Sequence, residues 1–342
     1  MFSLERFFKW VELGGKNIED VSEEDIQRLY IEYIDTQAKN SLDIYMAELP
    51  DIIKKNHFQH EKFKENNINH WKNALDHLEL LIHLSIKSGS DISISREQNT
   101  NIANELHECL LIRLHARACS IANEILLLLK NGFADAAQAR WRSLHEINVT
   151  LRFIQTFGPD CSERFLAHDI VDSYEAMRAH RKFEHRLQEK GPTDEEYAVI
   201  EKLYKNALKK YGSEFKDQYG WAVPFLPTSS GRVGFQRLEK AVELDHMRPY
   251  FKWASQNIHT STKTLMKRLS LPDFEKEIIN VGPSNFGLTD PAHSTAISLM
   301  QATTWLLSND LNEDNAITIN MLKSLSKIIG DEFFAISKTF ES

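Results

Sequence analysis

Residues 101–130, NIANELHECLLIRLHARACSIANEILLLLK, are the stretch that decides the fold. Apolar side chains recur along it at helical spacing, at Ile102, Leu106, Leu110, Leu114, Ile121, Ile125 and Leu128. This stripe predicts a long amphipathic helix, and Asn131-Gly132 supplies a stop signal after it. A second helix is predicted over about 135–157 and a third over 162–190, each followed by a Gly-Pro pair.

Short connections make consecutive helices antiparallel neighbours, so residues 101–190 are predicted to form a three-helix unit. Helical periodicity extends through the rest of the chain and is interrupted by irregular loops at 212–234 and 280–291. We therefore predict an all-α fold: a helical bundle domain over residues 99–342, preceded by an N-terminal helical region over residues 1–98. The polar segment 88–100 is the predicted linker between them.

Composition excludes several classes of protein. The 342 residues include 41 basic and 49 acidic side chains, a net charge of −8, and 42% are hydrophobic, as in globular proteins. The longest apolar run, Ile125 to Leu129, is far shorter than the roughly 20 residues of a membrane span. The first ten residues lack the apolar core of a secretion signal, and the three cysteines form no CxxC pair. These features predict a cytoplasmic protein that does not enter a membrane.

Charged side chains fall inside the apolar faces of the second predicted helix. At about 100° per residue, Arg140 lies within the main apolar arc, and Arg142 with Glu146 lies within a smaller arc on the other side. Buried charges are costly unless they are paired and hydrogen-bonded. Two interpretations follow: an Arg–Glu network that fixes the register of the helices, or a polar pocket between helices that binds a ligand.

The third predicted helix offers one candidate metal site. His168 and Asp169 form a His-Asp doublet like that of metal-dependent phosphohydrolases, and Asp172 shares a helix face with His168. The chain has no HExxH motif, no P-loop and no GxGxxG motif. We therefore assign no metal ligands and no cofactor, and keep a metal-dependent phosphohydrolase as the third hypothesis.

Basic residues are concentrated in the central helices despite the acidic total. Residues 113–152 contain six basic and three acidic side chains, and residues 178–186, RAHRKFEHR, contain four basic and one acidic. A local basic patch on an acidic protein suits a short RNA segment or a small phosphorylated ligand better than long duplex DNA. A solvated helix face is the alternative interpretation of residues 178–186.

Residues 131–154, NGFADAAQARWRSLHEINVTLRFI, resemble an uncharacterised bacterial helical family, a domain of unknown function. The resemblance rests on a glycine turn, an alanine-rich helix start and the pattern Arg-Ser-Leu-x-Glu at residues 142–146. Residues 250–261, YFKWASQNIHTS, resemble the family's Tyr-x3-Ser-x3-His segment with Ala254 at the serine position, and the loop 282–293 resembles its late Gly/His segment. The resemblance covers about residues 100–308 and implies an α-helical fold.

A second resemblance is to the HEPN (higher eukaryote and prokaryote nucleotide-binding) helical ribonucleases, which carry an Arg-x4–6-His motif. Arg140 with His145 fits this motif, and so does Arg178 with His185. The resemblance implies metal-independent attack of an RNA 2′-hydroxyl. In such a site a histidine exchanges the proton and an arginine stabilises the charge of the phosphorane.

The leading hypothesis is a HEPN-like RNA-cleaving or RNA-binding effector of a toxin or phage-defence system. The alternative is a non-catalytic helical module that binds a protein partner or a small anionic ligand. The expected catalytic residues are Arg142, His145, Glu146 and His259, and the expected binding residues are Arg140, His168, Asp172, Tyr250 and His293. We also expect a homo-oligomer and a protein partner encoded in the same operon.

Overall fold

The computed structural model describes residues 4–15, 22–97, 105–227, 232–258, 269–271 and 280–340. Over these ranges the chain is helical and contains no β-strand, which confirms the predicted all-α fold. The helices, numbered in chain order, are α1 Leu4–Leu13, α2 Glu23–His70, α3 Lys72–Glu97, α4 Glu105–Lys130, α5 Ala134–Phe157, α6 Pro159–Ala167, α7 Asp169–Leu187, α8 Asp194–Tyr211, α9 Phe235–Ala241, α10 Arg248–Gln256, α11 Thr289–Leu307 and α12 Glu313–Lys338. None of these helices holds an apolar stretch long enough to cross a membrane.

The chain divides into two compact units, residues 1–63 and residues 64–342. The first unit contains α1 and most of α2, and its small core consists of Phe7, Val11, Leu29 and Tyr33. The sequence-based boundary between residues 98 and 99 lies within 98–104, outside the described residues, and stays a prediction. Helix α3, however, continues to Glu97 through most of the predicted linker, because its Ile92 still packs against the core of the second unit.

Helix α11 is the centre of the second unit, where it contacts α3, α4, α5 and α12. Its buried face includes the small residues Ala292, Ala296 and Ala302, which let these neighbours pack closely. The indole Nε1 of Trp141 on α5 donates hydrogen bonds to the Ser294 carbonyl and the Ser298 hydroxyl on α11, both at 3.0 Å. These bonds satisfy the one polar atom of a fully buried tryptophan and fix the face that α5 turns toward α11.

Glycines close the connections on either side of α5. Gly132 and Gly158 both have a φ of 76°, in the left-handed region where a side chain is unfavourable, and Pro159 then occupies the first turn of α6. The predicted single helix over 162–190 is corrected: it divides at His168 into α6 and α7. The division lies where Arg164 and His168 hydrogen-bond carbonyls of residues 217–221 instead of facing solvent.

Residues 212–227 form an irregular segment with two short 3₁₀ turns, Ser213–Lys216 and Gly220–Phe225. Phe215 and Trp221 are buried, and the Trp221 ring meets Phe153 of α5 edge-on with ring centroids 5.5 Å apart. A Cβ at residue 220 would lie 2.4 Å from the Glu214 carbonyl oxygen, so the tight fold of this segment requires glycine there. The segment brings Tyr219 against the charged part of α5.

Candidate functional site: a charged cleft around helix α5

Helix α5 positions the charged residues of the candidate site. Trp141, Leu144 and Leu151 are fully buried in the core, and α4, α10 and α11 all pack against the helix. The charged side chains of α5 therefore project from a helix that is covered by neighbouring helices on several sides. This is the situation that the two apolar faces in the sequence predicted.

On the side toward α4, two arginines from different helices approach one carboxylate. Arg140 of α5 pairs with Glu124 of α4 through a short Nε–Oε2 contact. Arg117, also on α4, lies with its guanidinium 3.7 Å from the other oxygen of Glu124. One negative charge is thus shared by two positive ones, and the described residues supply no further hydrogen bond to either guanidinium.

On the side toward α10, Arg142 and Glu146 form the ion pair that their spacing predicted, at 2.9 Å. The guanidinium of Arg142 lies over the ring of Phe251 on α10, 4.9 Å from its centroid, which is cation–π geometry. Burial raises the pKa of Glu146 above its usual range, while Arg142 acts in the opposite direction. Burial is the larger of the two effects, so Glu146 takes up a proton at a higher pH than an exposed glutamate does.

A second network, which the sequence analysis missed, joins His145, Glu239 and Arg248. The Nε2 atom of His145 donates to Glu239 at 3.0 Å, and the other Glu239 oxygen accepts from Arg248 at 2.6 Å. His145 is 1% exposed and Glu239 is 0% exposed. At about 100° per residue Glu239 lies about 40° outside the arc formed by Phe235, Leu238 and Val242, so helical periodicity did not single it out.

Tyr219 lies near both networks, because charged residues of each influence its ionisation. Its pKa is raised to about 12, first by burial and then by the charge of Glu146. Arg142, Arg248 and Glu239 also influence its ionisation, so this one hydroxyl lies near two carboxylates and two arginines. Tyr219 therefore stays protonated at neutral pH and can serve as a hydrogen-bond donor to a ligand oxygen.

An open cleft of about 390 Å³ lies between α4, α5, α6 and the Tyr219 segment. Its polar lining consists of Arg117, Arg140, Ser143, Glu146, Thr150 and Tyr219. The volume is within the range of small-molecule sites. The structure thus brings the predicted residues Arg140 and Glu146 to one cleft, and Arg142 is paired with Glu146.

Other predicted site residues lie elsewhere. His168 is buried, where its Nε2 donates to the Asp217 carbonyl at 2.9 Å and its Nδ1 lies 4.0 Å from the exposed carboxylate of Asp172. Asp169 begins α7 one residue further on. Within the described parts of the chain, no group of three or more His, Cys, Asp or Glu side chains is arranged to hold a metal ion. The phosphohydrolase hypothesis therefore rests on the sequence pattern alone.

Three further predicted residues have different positions. Tyr250 is exposed on α10, and His259 lies outside the described residues. His293 begins the second turn of α11 and packs against Gly330, where an added Cβ would come within 2.5 Å of its Nε2. Burial lowers the pKa of His293, with Asp331 and Asp290 acting in the opposite direction. The roles of these residues stay predictions.

In a comparison with known proteins, one family matches the part of the chain that contains the charged cleft. The sequence profile of a family described as "Family of unknown function (DUF5677)" matches residues 108–278. The match contains α5, α9 and α10 and so includes every charged residue of the networks above. No curated protein and no solved structure matches the chain.

Proposed function

The chain belongs to the DUF5677 family, whose description assigns no activity, and we propose from the geometry that it is a binding module for a small phosphorylated ligand. The ligand occupies the cleft between α4, α5, α6 and Tyr219. Arg117 and Arg140 hold its phosphate, and the hydroxyls of Ser143 and Tyr219 bind its other oxygens.

The observation that carries this proposal is the shared carboxylate of Glu124. Each arginine has five N–H donors, and one carboxylate accepts only a few of them. Two guanidinium groups on one carboxylate leave a net positive charge and unused donors at the cleft. A planar fork of donors from each of two helices fits the oxygens of a phosphate group.

The burial of His145 favours binding over histidine-dependent catalysis. Its side chain is 1% exposed and is not part of the lining of the cleft, so a ligand in the cleft does not reach it.

Isothermal titration calorimetry with inorganic phosphate and the four nucleoside 5′-monophosphates tests the proposal. We expect saturable binding of at least one probe, weakened at least about 10-fold in Arg140→Gln because a charge-assisted hydrogen bond is lost. Arg178→Gln is the matched control, since Arg178 is an exposed arginine in an ion pair on α7. Absence of binding by all probes, or equal loss in both variants, would contradict the proposal.

RNA cleavage at the same cleft is the second candidate function. It is favoured by Glu146, whose raised pKa suits a group that takes a proton from a 2′-hydroxyl beside arginines that stabilise the phosphorane. A labelled single-stranded RNA would then be cleaved in the presence of EDTA, and cleavage would be lost in Glu146→Gln and His259→Ala but retained in Asp172→Asn. Cleavage that EDTA abolishes would instead support the metal-dependent hypothesis at His168, Asp169 and Asp172.

A further inference from the structure

Helix α2 carries an exposed apolar stripe. Leu42, Tyr45, Met46, Leu49, Ile52 and Ile53 recur at spacings of three and four residues, and all six are exposed. At about 100° per residue they fall within an arc of about 120°, and Ile31, Ile34 and Ala38 continue the same arc toward the N-terminus with Asp35 as its charged interruption. Over residues 31–53 the stripe extends about 33 Å.

Such a stripe is unusual on the surface of a helix exposed to water. A surface helix normally turns its apolar residues toward a core, and a contiguous exposed apolar patch marks an interaction site. The spacing of three and four residues over about three heptads is that of a helix-pairing seam. Met46 is 59% exposed and Leu49 is 42% exposed, so burying this stripe removes a large apolar surface from water.

The charge along α2 identifies the partner. Residues 23–51 carry eight acidic and two basic side chains, whereas residues 52–63 carry one acidic and three basic. If a second α2 lies antiparallel and crosses near residues 47 and 48, the acidic start of one helix lies beside the basic segment of the other. A parallel pair would place acidic beside acidic, which is unfavourable.

We propose that this chain forms a homodimer in which the stripe of α2 pairs antiparallel with the same stripe of a second copy. The arrangement is isologous, so that Leu42 of one copy packs near Ile53 of the other and Met46 packs near Leu49. This self-complementary contact is the interface type of closed dimers. The proposal does not depend on the ligand cleft.

The association state of the full chain, measured by sedimentation velocity between about 1 and 100 µM, tests the interface. Wild type is expected to be a dimer. Met46→Lys and Leu49→Lys each weaken association at least about 100-fold, because each copy loses an apolar contact and gains a buried charge. The matched control is Ile44→Lys, which makes the same kind of change at a 60% exposed isoleucine on the opposite face of α2 and leaves the dimer intact.

Disulfide crosslinking tests the orientation. In the antiparallel pair, Leu49→Cys lies close to its counterpart and crosslinks under oxidation, whereas the two Ile34→Cys residues are about 40 Å apart along the helices and do not. Wild type controls for the native cysteines, of which Cys119 and Cys161 are buried. A monomeric wild type, a dimer that survives both stripe variants, a dimer lost in Ile44→Lys as well, or crosslinking through Ile34→Cys would each overturn the proposal.

Discussion

Helices α3 and α5 carry the same local charge pattern in different surroundings. Lys87 and Asp91 on α3 form an i,i+4 ion pair at 2.6 Å with both side chains more than half exposed. Arg142 and Glu146 on α5 form an i,i+4 pair at 2.9 Å in which about a third of each side chain is exposed. The α5 pair also lies near further charged groups, those of Glu239 and Arg248, and near the Tyr219 hydroxyl. The two pairs share their spacing and differ in their surroundings, so we expect them to contribute differently to stability.

Glu239→Ala should produce the largest contrast between these two regions. It leaves His145 and Arg248 without their common carboxylate inside the protein, which costs about 3–5 kcal/mol of unfolding free energy. The matched change in the exposed pair, Asp91→Ala, should cost less than about 1 kcal/mol. Urea unfolding of both variants measures the difference. Similar costs would show that the buried network contributes no more than a surface pair.

A buried histidine should make stability fall in acid. Burial lowers the pKa of His115 from 6.5 to about 4, so the folded chain resists a proton that the unfolded chain accepts. The stability that depends on neutral His115 is fully present above pH 6.5 and is lost as the pH falls toward 4. The free energy of unfolding falls by about 3 kcal/mol in total over this range. Urea unfolding between pH 4 and 7 should show this slope in wild type and a shallower one in His115→Gln. Equal slopes would contradict the assignment.

Glu146 should act with the opposite sign and the smallest effect. Because burial raises its pKa, the folded chain holds the proton more tightly than the unfolded chain, whose value is 4.5. Wild-type stability therefore declines as the pH rises above 4.5 through the raised folded value. Glu146→Gln lacks this titration, so its stability relative to wild type should increase over that window. Solvent screening at a side chain that is 34% exposed keeps the effect below that of His115.

The all-α fold and much of α5 could be predicted because both depend on the local periodicity of apolar residues. Arg140, Arg142 and Glu146 were found because the rest of α5 repeats regularly enough to show that they fall within apolar arcs. The division at His168 was missed because it coincides with a hydrogen bond from His168 to the Asp217 carbonyl, 49 residues away. Spacing along one helix contains no information about such a contact.

The partners of His145 were missed for a related reason. Glu239 is 94 residues from His145 and lies on the seven-residue helix α9, which is too short for its periodicity to stand out in the sequence. Tyr219 lies in an irregular segment, where no periodic rule assigns a direction to a side chain. The half of the site that belongs to one long helix was predictable, and the half supplied by short elements was not.

The length of α9 and α10 has a consequence for cooperativity. Isolated helices of seven and nine residues are unstable in water, so these two persist because they dock on α5. Glu239 on α9 is hydrogen-bonded both to Arg248 at the start of α10 and to His145 on α5, and it therefore links the order of three elements. Residues 235–256 should behave in amide hydrogen exchange as one foldon, whose opening requires the hydrogen bonds of a single carboxylate to break.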